Sequence, residues 1–253
     1  MTQSTAWLRL TLLSDTTFGR GDGVAGLVDG EVQHDEYGLP YLNGKTLKGL
    51  LGAECAEILF ALERSGCANL DQWQRAGEFL FGNPGSRVSD IGGMKVSHAQ
   101  LPDDLRAMIA SAFYQNQEDE DESSRAQKLK LMRVENLESL TALRRQTAMS
   151  GKSGAPLKNS LRTMRVILRE TEFVSRLEFA SNLVDHPKWL LAACVKSFRR
   201  AGTGRNRGRG RLKAELYDQP LYGEDSVAPP APVTWFAEFE RAVRATGVQE
   251  VQS

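Results

Sequence analysis

Two hydrophobic periods alternate along this chain, and their order leaves few folds open. Residues 6–13 alternate at Leu8, Leu10 and Leu12, the period of a strand. From Lys45 the period becomes helical, with Leu47, Leu50, Leu51, Ile58, Leu59 and Leu62 on one side and Asn43 as the expected N-cap. Residues 94–99 alternate again at Met94, Val96 and His98, and 103–116 reads as a short helix. Strand periods return at 164–169 and at 172–179, where Phe173, Leu177 and Phe179 share a face. Pro187 sits in the first turn of a second apolar helix, which carries Trp189, Leu190, Cys194 and Phe198 to an end near Gly202. Residues 211–217 close the series at Leu212, Ala214 and Leu216. Strand, helix, strand, insertion, strands, helix, strand is the order of an α+β, ferredoxin-like βαββαβ domain. The domain is expected over 1–217, with an insertion at about 117–160. Residues 218–253 then form a C-terminal extension, with a helix at 234–246 carrying Trp235, Phe236, Phe239 and Val243 on one side.

Charge is balanced in total and segregated in detail. The chain has 253 residues, with 32 basic and 32 acidic, a sum that taken alone speaks against a nucleic-acid binder. Five acids stand together at 118–122 and read as a solvated loop. From Lys196 to Lys213 eight cations run without an acid: Lys196, Arg199, Arg200, Arg205, Arg207, Arg209, Arg211 and Lys213. Gly202, Gly204, Gly208 and Gly210 are interspersed among them. This segment joins an apolar helix to an alternating strand, so both ends are anchored and a free arginine-glycine linker is disfavoured. Glycines let backbone approach a ligand closely, and arginine forks match phosphate, so RNA is the partner this spacing fits. A second basic stretch spans 144–176 and includes Arg162 and Arg165.

Other chemistries find little in the sequence. No apolar run reaches membrane-spanning length, and the first residues lack the basic and apolar regions of a signal peptide. Cys55, Cys67 and Cys194 show no zinc-ligand pairing and fit a reducing cytoplasm, with Cys67 and Cys194 read as small apolar residues. His34, His98 and His186 have no partner at catalytic or metal-ligand spacing. The stretch 38–46 imitates a P-loop, but five residues separate Gly38 from Gly44 and Pro40 lacks an N–H. Lys45 and Lys48 lie in a first helical turn, where cations oppose the macrodipole unless an anion binds there. Asp22, Asp29 and Asp35 lie in a glycine-rich loop beside that site, fitting either turn formation or a divalent metal and proton transfer.

The constellation resembles the RAMP superfamily of CRISPR-associated proteins, and within it the repeated (Cas7-like) backbone subunit of type III effector complexes. The segments carrying the resemblance are 17–23, 26–30, 32–49, the Phe79-Leu-Phe-Gly-Asn83 and 93–99 stretches, and the glycine-rich loop 202–210. They span about residues 5–217 in the family's order. Asn43 and His98 depart from its usual proline and aspartate. The resemblance implies an RRM-like palm with an inserted thumb hairpin near 144–165. Its implied partners are CRISPR RNA, target RNA and other effector subunits in a filament, with no membrane. It implies that Asp29 cuts target RNA with a divalent metal (Mg or Mn) and no organic cofactor, Asp35 being the second loop aspartate. RNA contacts are expected from Arg20, Lys45, Lys48, Arg162, Arg165, Arg199, Arg200, Arg205, Arg207 and Arg209, with Gly202, Gly204 and Gly208 giving close approach. The alternatives are a subunit that only positions RNA and a nuclease that processes precursor CRISPR RNA.

Overall fold

The alternation at Leu8, Leu10 and Leu12 becomes β1 (Thr5–Leu12), in which every second side chain is buried. The computed structural model describes residues 4–21, 23, 28–83, 92–114, 121–147, 154, 160–205, 208–222 and 230–246. β1 lies between the later strands Glu172–Phe179 and Leu212–Tyr217, antiparallel to both. The short strand β2 (Met94–Val96) pairs antiparallel with the far side of Glu172–Phe179. Numbering the hairpin strands described below as β3 and β4, these are β5 (Glu172–Phe179) and β6 (Leu212–Tyr217), and the sheet order is β2-β5-β1-β6. Helix α1 (Gly44–Arg64) lies between β1 and β2 in the chain, and α5 (Asp185–Ser197) between β5 and β6. The sheet therefore interleaves two strand–helix–strand units, and the expected α+β class is observed.

One sheet face is apolar and carries the core. Leu47, Leu51 and Cys55 of α1 and Leu190, Leu191 and Cys194 of α5 share a cluster with Leu8, Leu10, Phe173, Leu177 and Leu216. A helix that the periodicity did not single out, α2 (Leu70–Phe81), adds Trp73, Ala76 and Leu80. The expected C-terminal helix is α6 (Trp235–Thr246). It packs on the chain's own core, with Phe239 edge-on to Trp73 at 5.0 Å. No described helix is long and apolar enough to cross a membrane.

The opposite sheet face is a lattice of charges. Arg9 meets Glu215 at 2.8 Å and lies over the Tyr217 ring at 5.3 Å. Lys213 pairs with Glu215 at 2.7 Å, and Arg176 with Glu178 at 3.3 Å.

The insertion holds the expected hairpin, preceded by a helix that was not expected. After α3 (Asp103–Tyr114), the polar stretch is a helix, α4 (Glu122–Leu140), rather than loop. Asp121, from the expected acidic loop, caps it: its carboxylate accepts the Ser124 N–H at 2.7 Å, which holds the carboxyl below its usual range. Residues 118–120 lie outside the described residues. No side chain of α4 is buried, so docking decides its position. Gly38 has φ +82°, and a Cβ there would come within 2.1 Å of the Arg133 carbonyl oxygen, so α4 crosses this turn at backbone contact. Asn136 Nδ2 donates to the Tyr37 carbonyl at 2.9 Å. The chain then forms the hairpin β3 (Thr141–Gln146) and β4 (Arg162–Ile167) as a separate two-stranded sheet. The expected strand at 164–169 thus belongs to the hairpin and not to the main sheet. The hairpin tip lies outside the described residues.

A buried ion pair holds this hairpin to the domain. Arg165 and Glu31 are 8% and 4% exposed, with Arg165 Nε 2.9 Å from Glu31 Oε1. The guanidinium also donates to Thr141 Oγ1 at 3.2 Å, and Glu31 Oε1 accepts the Val32 N–H at 2.9 Å. Removing one partner leaves an uncompensated buried charge, which costs about 3–5 kcal/mol. Denaturant unfolding of Glu31→Gln should show a loss of that order. A Glu31→Met, Arg165→Leu double variant should recover part of it, because no lone charge remains buried.

Candidate nucleic-acid interface

The end of α5 and the start of β6 bring the glycine-arginine loop back beside the hairpin. Gly202 has φ +84°, and a Cβ on it would meet the Thr17 carbonyl oxygen at 2.5 Å. The next amide, Thr203 N–H, donates to that oxygen at 2.9 Å. Thr17 Oγ1 in turn donates to the Arg165 carbonyl at 2.8 Å. Loop, strand end and hairpin base are thereby stitched in sequence, and only glycine fits the tightest stitch.

Between hairpin and loop lies an open groove of about 1040 Å3. Its walls include Arg162, Arg199, Arg200 and Arg205, with Gly202 and Gly204 in the loop and Gln146, Thr147 and Ser160 on the hairpin side. Arg200 Nη1 donates to the Arg205 carbonyl at 2.7 Å, so this arginine also shapes the loop. Glu54 of α1 stands in the same groove. Burial, with repulsion from Glu57, raises its carboxyl above the usual range, and Arg205 partly opposes the rise. Sequence reading missed Glu54 and the hairpin polar residues, because nothing in their spacing announces a shared wall.

Asp29 stands at the edge of the hairpin. Residues 28–30 run along the free edge of β4: Asp29 N–H donates to the Thr163 carbonyl at 2.8 Å, and Thr163 N–H returns a bond to Asp29 Oδ2 at 2.7 Å. The Asp29 side chain is exposed, and the flanking β4 residues Arg162 and Met164 line the groove. Among the described residues, no group of three or more His, Cys, Asp or Glu side chains could hold a metal. Asp29 nonetheless fits a hard divalent cation of the kind that takes one or two carboxylates and completes its shell with water and substrate phosphate.

Other expected residues are placed differently. Arg165 is buried in its ion pair and is not available to a ligand. Asp35 Oδ1 accepts the N–H groups of Tyr37 and Leu39 at 3.0 and 2.9 Å, so it forms the turn, the alternative its loop position allowed. At the anion site expected at the start of α1, two amides are already engaged: Gly44 N–H donates to His98 Nδ1 and Lys45 N–H to Asn43 Oδ1, each at 2.9 Å. Lys48 Nζ donates to the Met94 carbonyl at 2.8 Å, and burial lowers its pKa. Lys45 is exposed, on the α1–α2 side. His34 is engaged by the Asp35 carbonyl at 3.0 Å and by Arg133. Arg20 is exposed, with its backbone N–H on the Glu31 carbonyl. Gly208 and Arg209 line a neighbouring cavity with Arg144 and Arg169. Asp22 and Arg207 lie outside the described residues.

The groove has a pH signature. Above its raised pKa, Glu54 is an anion facing any bound polyanion; below it, that repulsion is gone. Affinity for a polyanion should therefore rise as pH falls through the upward-shifted carboxyl range, and Glu54→Gln should flatten the rise. Filter binding across that range checks this.

Comparisons agree with the architecture. A family model of the RAMP superfamily matches residues 9–213. The chain is similar in structure to a chain of the "Type III-B Cmr-beta Cryo-EM structure of the Apo state", at 12% identity, covering 84% of this chain and 97% of that one, with a TM-score of 0.56. It is also similar to a chain of the "Cryo-EM structure of the Type III-B Cmr-beta bound to cognate target RNA", at 11% identity, covering 84% and 96%, with a TM-score of 0.54. No curated protein matches it in sequence. With the match running from β1 into β6 and enclosing both the hairpin and the glycine-arginine loop, the chain belongs to the RAMP superfamily.

Proposed function

We propose that the chain is a CRISPR RNA-binding backbone subunit of a type III effector complex, which cuts guide-complementary target RNA beside Asp29. The observation that carries this reading is Asp29, held on the free edge of β4 next to strand positions that line an arginine groove. Family membership and similarity to chains of type III-B Cmr-beta structures support the setting. Arg162, Arg199 and Arg205 hold guide phosphates as forked donors, while Arg200 and the loop glycines bring backbone close. The Thr163 amide fixes the Asp29 carboxylate on the hairpin edge. A divalent metal bound at Asp29 would supply charge neutralisation at a phosphate. Where the hairpin splays a target nucleotide, the adjacent 2′-hydroxyl gives its proton to water and attacks the phosphorus in line, and the 5′-oxygen leaves and takes up a proton from water. The product ends are then a cyclic phosphate and a 5′-hydroxyl.

A second reading is a subunit that positions RNA while another subunit cuts. It is favoured by the lack, among the described residues, of a three-ligand metal cluster. An assembled complex with guide RNA, magnesium and labelled complementary RNA separates the two. Asp29→Ala should abolish cutting and leave guide binding intact, with cyclic phosphate ends seen only for the unsubstituted protein. Cutting that survives the substitution supports the second reading.

Phosphate contact has its own test. Arg162→Ala and Arg199→Ala should each reduce the slope of log affinity against log salt by about 0.7 to 1. An unchanged slope would place the RNA elsewhere.

A further inference from the structure

The outer edge of β6 has an opening distinct from the arginine groove. Leu13 N–H donates to the Arg211 carbonyl at 2.8 Å on the β1 side, so the antiparallel ladder turns residues 212, 214 and 216 toward the other edge. That edge is closed at both ends. Leu212 N–H donates to the Arg199 carbonyl at 3.0 Å, and Val233 N–H donates to the Leu216 carbonyl at 2.8 Å. Between them, no described residue bonds the N–H or C=O of Ala214. A cavity of about 850 Å3 opens there, with a largely apolar wall that includes Ala214, Val233 and Phe236, and with Lys196, Arg199, Arg200 and Arg211 among its cations. Glu215, the acid in its lining, is paired with Arg9 and Lys213. Arg199 and Arg200 line both this cavity and the groove, so one pair of cations lies between the two openings.

We propose that this slot takes one unstacked nucleobase of a single-stranded RNA, an assignment that rests on the RNA-binding reading above. A nucleobase carries a donor and an acceptor on one edge, and Ala214 offers one N–H and one C=O side by side. Phe236 supplies an apolar wall for the ring, and the surrounding cations take the flanking phosphates. An added peptide strand is a poorer occupant. Leu212 to Leu216 spans four residue steps, about 13 Å, which is shorter than an ordinary strand, and Arg199 and Val233 already occupy its ends. The cationic lining also favours a polyanion over a peptide.

The test compares a short fluorescein-labelled single-stranded RNA with the same backbone made abasic, using fluorescence anisotropy on the full chain. The intact RNA should bind about tenfold more tightly than the abasic one. Phe236→Ala and Ala214→Pro should each remove most of that preference and leave abasic binding unchanged. Proline at 214 removes the outward N–H and breaks no bond of the β1 ladder; Phe236→Ala, which leaves the backbone unchanged, controls for its restriction of φ. Hydrogen exchange gives a second readout: the Ala214 amide should be protected by intact RNA and not by abasic RNA. Salt-sensitive RNA binding with the preference unchanged in Phe236→Ala would overturn the slot and leave the RNA-binding reading standing. Protection of the Ala214 amide without RNA would show the edge filled by protein and would also overturn it. Absence of salt-sensitive binding to either RNA would remove both readings.

Discussion

Burying a glutamate and an arginine together strips water from both charges, and only close geometry with further hydrogen bonds offsets the loss. Glu31 and Arg165 have that geometry, and the rest of the candidate site depends on it. Arg165 belongs to β4 and reaches Thr141 at the start of β3, so one guanidinium holds both strands of the hairpin. Glu31 lies two residues from Asp29, and the Arg165 amide donates to the Gly30 carbonyl at 3.0 Å. The same few atoms therefore set the hairpin against the domain and set Asp29 on the hairpin's edge. A mobile hairpin would carry its groove wall away from Arg199 and Arg205; an anchored one keeps a gap of fixed width.

The main sheet was legible because burial imposes a period. Leu8, Leu10 and Leu12 face the core, as do Phe173, Leu177, Leu212 and Leu216, and these positions alternate in the sequence. The α1 cap at Asn43 was legible for a similar reason, since few side chains satisfy a first-turn amide. Helix α4 was not. It fully buries no side chain, so no strong apolar stripe marks it, and its place comes from backbone contact at Gly38, a bond from Asn136 and partial packing of Leu137 and Leu140 on the core. Within the site, the cationic loop 199–205 could be read from local spacing, and the structure brings it to the groove with Arg162. Arg165 could not be told from Arg162: both are basic residues of one strand, and three positions apart they occupy opposite environments, one exposed and one buried on Glu31. Partners distant in sequence decide such cases. The same holds for Lys48, which looked like a phosphate ligand and instead ties α1 to the Met94 carbonyl.

Charge balance takes on a structural meaning in this arrangement. The open sheet face pairs its cations with acids at Glu215 and Glu178. The cations that line the groove gather at the hairpin and the glycine-arginine loop instead. The net charge of zero is reached because acids elsewhere in the chain, five of them together at 118–122, offset those cations.

The central claim is that RNA lies between the hairpin and the glycine-arginine loop rather than across the sheet. A cryo-EM map of the protein assembled on RNA tests this most directly. The account predicts backbone phosphates within hydrogen-bond distance of Arg162, Arg199 and Arg205, with the Arg9–Glu215 pair intact. RNA density across the open sheet face, with that pair broken and the groove empty, would contradict it.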